Sequence, residues 1–130
     1  MARVMIVGLG RLGVVEKLLE AGADLTIVER NEELCRAAGG RFQARIIVGR
    51  EDDPDTLRSA GLGNADMMIA ASSDDDVNLA VCKIAKTEFK VPHVIAVLNE
   101  PRRRAEFVEI KPPVDAVIYL LTGKTSQQSG

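Results

Sequence analysis

Short runs of mainly β-branched and apolar residues recur six times along the chain, separated by stretches with apolar residues at helical spacing. The runs are Val4–Val7, Leu25–Val28, Ala44–Val48, Met67–Ala71, Val94–Leu98 and Ala116–Leu120. A strand with one wet face alternates apolar and polar residues, whereas a strand that is apolar throughout is covered on both faces. Strand–helix repeated about five times and closed by a strand leaves few topologies. Right-handed crossovers put helices on both faces of one parallel sheet.

Local signals punctuate the helices between these runs. Leu12–Ala21 carries a helical stripe that stops at Gly22. Asn31 is placed to cap a helix with Leu34, Cys35 and Ala38 on its inner face and Gly39-Gly40 at its end. Asp53 precedes Pro54 at the first position of a short helix that Gly61 closes. Ser73 with Asp76 resembles a capping box. The helix it opens is expected to bury Val77, Ala80, Val81, Ile84 and Ala85. Glu100–Ile110 reads as a fifth helix with a basic start, Arg102-Arg103-Arg104. The polar, small-residue stretch from Thr122 to Gly130 is set apart as a flexible tail, leaving residues 1–121 as one domain.

The first run leads directly into Gly8-Leu9-Gly10-Arg11-Leu12-Gly13, which has the spacing G-x-G-x-x-G. On its own that spacing is weak evidence. Here it follows a strand, opens a helix, and is followed by an acidic residue, Glu29, at the end of the next strand. The fold predicted is therefore Rossmann-like α/β: a doubly wound parallel six-stranded sheet of order 3-2-1-4-5-6, helices on both faces. In that frame Gly8 permits the tight turn, Gly10 lets the backbone approach a pyrophosphate, and Gly13 lets the helix pack close to the sheet. Backbone N–H groups from about Gly10 to Leu12 would face phosphates at the positive end of the helix. Arg11 would add charge at the rim. The Glu29 carboxylate is placed to accept the ribose hydroxyls of an adenosine and to repel a 2′-phosphate, which favours NAD over NADP. Arg30 beside it argues the other way, because arginine pairs with such a phosphate.

Two further clusters fall at strand ends. Gly49-Arg50-Glu51-Asp52 follows the third strand, where adenine usually rests, and Ser72-Ser73-Asp74-Asp75-Asp76 follows the fourth. Ser72 can hydrogen-bond the second half of a dinucleotide. The acidic runs can cap helices or hold a hydrated cation. His93 is the only histidine and stands at a strand start, so no Ser-His-acid set and no zinc-spaced cluster can be built; no catalytic residue and no metal site are expected.

Composition removes other classes. The net charge is −2, so nothing in bulk electrostatics favours nucleic acid or an anionic membrane. Aromatic residues make up 3% with no Trp, too few for stacking on bases. No apolar run approaches the ~20 residues of a membrane span, and no signal-peptide pattern opens the chain, so the cytoplasm is the expected compartment. Cys35 and Cys82 read as free, buried, reduced thiols.

The stretches "VMIVGLGRLG", "DLTIVERNEE", "IIVGREDDPDTLRSAGLGNADMMIAASSDDDVNLAVCKIAK" and "VIAVLNEP" resemble the TrkA-N, or RCK/KTN, nucleotide-binding domain of potassium transport regulators. The third stretch is the most specific, and the resemblance covers about residues 3–120. It implies binding of NAD or NADH, or alternatively of ATP, ADP or AMP, without catalysis. It implies a homodimer that builds higher rings beneath a membrane-embedded potassium channel or transporter, at the inner face of the cell membrane. Ligand exchange would then gate ion flow. It puts Gly8, Gly10, Arg11, Leu12, Glu29, Ser72 and Asp74 at nucleotide-site positions, and Arg102–Arg104 in a region of subunit contact. With their neighbours Leu9, Gly13, Arg30, Arg50, Glu51 and Ser73 these make the candidate site. A dehydrogenase cofactor domain and a cation-antiporter interaction module with little nucleotide binding are the alternatives.

Three departures from the family pattern stand out. Arg50 replaces the Asp common after the strand-three glycine, and would either stack on adenine or pair with Glu29. The first helix is short. The chain also stops where the family commonly continues into a smaller regulatory domain, so the expectation is of either a domain that works alone or an excised piece.

Overall fold

The sheet is fully parallel and has the order β3-β2-β1-β4-β5-β6. In the computed structural model, which describes residues 1–119, its strands are β1 (Arg3–Val7), β2 (Asp24–Glu29), β3 (Arg45–Val48), β4 (Met67–Ala70), β5 (His93–Leu98) and β6 (Ala116–Tyr119). The helices are α1 (Leu12–Glu20), α2 (Glu32–Gly39), α3 (Pro54–Ser59), α4 (Asp75–Thr87) and α5 (Arg104–Val108). The predicted last strand residue, Leu120, and the predicted tail, 122–130, lie outside the described residues.

β1 sits at the centre, with Ile6 in register with Ile27 of β2 on one side and Ile69 of β4 on the other. Alternate strand residues feed two cores. Val4, Ile6, Ile27 and Ile69 pack with Val15 of α1 and Ala38 of α2 on one face. Met5, Val7, Met68 and Ala70 pack with Leu57 of α3, Val81 and Cys82 of α4 and Phe107 of α5 on the other. This is why the runs are apolar without alternation: both faces are covered.

The caps on α2 and α3 form as the residues dictate. The Asn31 side chain accepts from the Leu34 N–H and the Asp53 side chain from the Asp55 N–H, with Pro54 in the first turn. Gly22 and Gly61 follow their helices at φ +83° and +96°, conformations that a side chain resists.

Four local expectations are corrected. The cap of α4 is Asp74, whose carboxylate accepts from the Asp76 N–H, and Ser73 is exposed. The buried stripe of α4 is Asp75, Asn78, Val81, Cys82 and Ala85; Val77, Ala80 and Ile84 flank it half-buried. Leu34 is 45% exposed, so α2 turns only Cys35 and Ala38 inward. The fifth helix is broken: Pro101–Arg103 form a 3₁₀ turn before α5. Pro101, with no N–H to donate, sits in the first turn, and the Glu100 side chain caps it.

Candidate functional site

The glycine turn lies where β1 and β4 diverge, because the chain leaves β1 toward β2 on one side and β4 stands on the other. Two backbones cross there at close range. Gly8 has φ +98°, and a Cβ on it would lie 2.5 Å from the Ser72 backbone. A Cβ on Gly10 would lie 2.9 Å from Ala71 O and Ser73 N. Both glycines are therefore required by the β4–α4 loop, whatever ligand is present. Gly13 is different: nothing lies within 4 Å of its Cβ position. The close helix–sheet packing expected of it is not made, because Gly13 is on the exposed side of α1, while Val15 faces the core.

The amides of this turn divide in two. Gly8 N–H donates to Val28 O, Leu9 N–H to Glu29 Oε1 at 2.8 Å, and Gly10 N–H to Ala71 O at 3.1 Å. The expected phosphate-facing set thus loses Gly10 and begins at Arg11. α1 has no side-chain cap and no acidic residue in its first turn, unlike α2, α3 and α4, each of which has both. Its N-terminal amides and its dipole are left for an anion.

Opposite this helix start is a cleft of about 300 Å³ at the carboxyl ends of the strands. It is lined by Gly10, Glu29, Arg30, Glu51, Ser72, Ser73 and Asp74 from the predicted set, and by Asn31, Leu34 and Val77 in addition. Gly8 and Leu9 lie buried beneath it. Arg50 is outside the lining, and so are Arg11, Leu12 and Gly13. A somewhat larger hollow of about 340 Å³ lies at the opposite, amino edge around Arg3, Asp24 and Arg45. The carboxyl edge at the switch point is the one that open parallel sheets use for ligands.

Glu29 is buried at 6% exposure and is a brace as well as a candidate ligand. One oxygen accepts from Leu9 N–H and the other from Asn31 N–H at 2.9 Å, tying the glycine turn to the start of α2. Each oxygen keeps a further lone pair. The expected alternative pairing of Arg50 with Glu29 does not form. Arg50 Nε donates to Asp52 Oδ1 at 2.6 Å, which holds the Asp52 carboxyl below its ordinary pKa range. Arg30 is held by Glu51.

A polar network supports the other wall. Ser72 N–H donates to Asn78 Oδ1, and Ser72 O accepts from the Asn78 and Asn99 side chains. Asp75 accepts from the Asn99 and Glu100 amides and from the side chains of Asn78 and Asn99. Burial pushes the Asp75 carboxyl up, but these bonds outweigh it and hold the group below the usual carboxylate range. Arg11 Nη2 donates to Asn99 Oδ1 at 2.7 Å, linking the helix start to the end of β5. The Ser72 hydroxyl accepts from Asp74 N–H, and Asp74 caps α4, so both are engaged structurally.

Asn78, Asn99 and Asn31 join the site without being among the residues expected there. The signal for Asn78 was available: a lone amide at the head of the apolar stripe that continues through Val81, Cys82 and Ala85. His93 is exposed at the amino end of β5, the edge away from the cleft. Of the three arginines expected in subunit contact, Arg102 pairs with Glu100, and Arg103 with Glu106 and Asp76.

A 3-2-1-4-5-6 parallel sheet with a glycine turn at its switch point and a carboxylate ending β2 defines a Rossmann-type domain. The chain belongs to the TrkA-N domain family, whose model matches residues 4–120. It is 33% identical over 122 residues to the Trk system potassium uptake protein TrkA of Vibrio alginolyticus, covering 89% of this chain and 27% of that protein. It is 38% identical over 102 residues to TrkA of Mycobacterium tuberculosis, covering 77% of this chain and 46% of that one. The chain thus spans between about a quarter and half the length of these relatives. Its fold matches that of the GsuK channel bound to NAD, with TM-score 0.76 at 18% identity over 90% of this chain and 21% of that one. It also matches the Kef C-terminal domain of Shewanella denitrificans in its AMP-bound form, with TM-score 0.76 at 22% identity over 98% and 77% of the two chains.

Proposed function

We propose that this domain is a nucleotide sensor that binds NAD(H), or alternatively ATP, ADP or AMP, and regulates a potassium channel or uptake transporter. The observation that carries the reading is a cleft that joins Gly10, in the turn leading to the uncapped start of α1, with Glu29 at the end of β2. The amides that open α1 would take the phosphate of an adenine nucleotide and the Glu29 carboxylate its ribose. The NAD and AMP of the GsuK and Kef structures and the potassium uptake role of the TrkA relatives support it. Gly8, Leu9 and Gly10 shape the turn, Glu29 holds the ribose, and Ser72, Ser73 and Asp74 wall the far side. No helix among the described residues is long and apolar enough to cross a membrane. The domain would act at the inner face of the membrane, as a homodimer or larger ring, through a membrane-embedded partner. Gating requires two shapes of different nucleotide affinity, because a ligand that binds both equally shifts nothing.

Thermal unfolding with NAD, NADH, NADP, ATP, ADP and AMP tests this. A ligand at 100 times its Kd adds about 2.7 kcal/mol, a rise of roughly 8 °C for a domain of this size. Leu12→Pro is the discriminating variant. It deletes one N–H at the first helical position, where proline is tolerated, so the unliganded midpoint is expected to hold while the shift is lost. No shift with any of the six nucleotides overturns the reading.

A further inference from the structure

We propose that Glu51 is a specificity-determining residue of the nucleotide cleft: by holding Arg30, it makes the site refuse a 2′-phosphate. The inference rests on the nucleotide reading above and deepens it. Arg30 follows Glu29 at the end of β2, where the 2′ position of a bound ribose lies. A free guanidinium there would grip a phosphate with two parallel hydrogen bonds.

This guanidinium is not free. Its Nε donates to Glu51 Oε1 at 2.5 Å, its own backbone N–H donates to Glu51 Oε2 at 3.3 Å, and Nη2 lies 3.7 Å from Asp52. The Glu51 side chain is only 4% exposed and both its oxygens are turned to Arg30. For Arg30 to swing onto a 2′-phosphate, it would have to leave the buried Glu51 carboxylate with only the 3.3 Å bond from the Arg30 backbone N–H, which is unfavourable. The other nearby arginine, Arg50, is held by Asp52. A 2′-phosphate would therefore meet the Glu29 carboxylate while the charge of each rim arginine is already balanced by a neighbouring carboxylate. Glu51 acts through Arg30, as a positioning residue, and decides which nucleotides the cleft admits.

The test compares 5′-AMP with adenosine 2′,5′-bisphosphate, which differ only at the 2′ position, by titration calorimetry on the full chain. Wild type is expected to bind AMP the more tightly, by about tenfold or more. Glu51→Gln removes the charge in the same shape, and Glu51→Met removes the acceptor altogether. Either is expected to improve bisphosphate binding relative to AMP by about tenfold, the scale of one half-exposed charge-assisted hydrogen bond. Adding Arg30→Met to either variant should abolish that gain. Three results overturn the proposal: wild type binding the bisphosphate as well as AMP, an unchanged ratio in the folded Glu51 variants, or a gain that survives Arg30→Met. Failure of wild type to bind either ligand overturns this proposal and leaves the nucleotide reading to the six-nucleotide unfolding series, whereas AMP binding with an unchanged ratio removes this proposal alone.

Discussion

At the scale of single residues, the three glycines of one motif do different work. Gly8 and Gly10 are fixed by the backbone of Ala71–Ser73, not by a ligand. Gly8→Ala forces a Cβ to 2.5 Å from backbone atoms in a left-handed conformation and should remove roughly 3 kcal/mol or more. Gly10→Ala meets two backbone atoms at 2.9 Å and should lose about 2 kcal/mol. Gly13→Ala enters open space in the first turn of a helix and should gain about 0.5–1 kcal/mol. Urea titrations of the three variants check the order, and a Gly13→Ala that is as damaging as Gly10→Ala would contradict it. The spacing of the glycines was legible in the sequence, but their separate reasons were not. Those depend on how near β4 passes, a distance between residues some sixty positions apart, whose scale only the folded chain sets. The same holds for Arg30 and Arg50. Their charges could be read, but which carboxylate each one meets depends on how the β3–α3 turn folds back.

At the scale of elements, strands and caps followed from local rules and came within a residue or so of their ends. On α4, whose face was misread, a polar demand competes with the apolar stripe. Asn78 and Asp75 take inward positions on α4 because the Ser72 and Asn99 backbones beside them need partners. That buried network joins the β4–α4 loop to the end of β5, and it gives a pH dependence with a definite sign. The Asp75 carboxyl lies below its ordinary value in the folded chain, so it stabilises fully above the unfolded value, ~3.9, and the contribution is lost as pH falls through the lower folded value. Asp115 adds in the same direction: burial pushes it up, but the Val94 N–H and Lys86 outweigh burial. Asp75→Asn keeps an oxygen for one of the Asn99 and Glu100 amides but turns an NH₂ toward the other. It should cost about 2 kcal/mol at pH 7 and flatten the loss of stability between pH 4 and 2. Midpoints measured across that range for both proteins decide it, and parallel curves would place the acid sensitivity elsewhere.

At the scale of the whole molecule, the helices are unequally supported by the sheet, and the two cysteines report on two of them. Cys82 lies on α4, wholly buried in the face that also holds Leu57, Met68 and Phe107. Burial raises its thiol to about 12, so in the native state it is neither exposed nor a thiolate. Cys35 lies on α2 beneath the cleft rim, at 5% exposure, its thiol raised first by burial and then by Glu29, Glu51 and Glu32. The supports of these two helices differ. α4 covers the central strands β4 and β5, whereas α2 leans on the edge strand β3, none of whose residues is fully buried. Segments with little buried support open at lower free energy than the whole. Alkylation in a urea series at neutral pH, read by mass, should therefore label Cys35 first, with a weak urea dependence. Cys82 should react only with the full surface exposure of global unfolding, and so with the steeper slope. Equal slopes for both thiols would mean that the sheet edge carrying the ribose side of the cleft opens only when the entire domain does. A ligand-driven change of shape would then have to move the domain as one body rather than loosen α2.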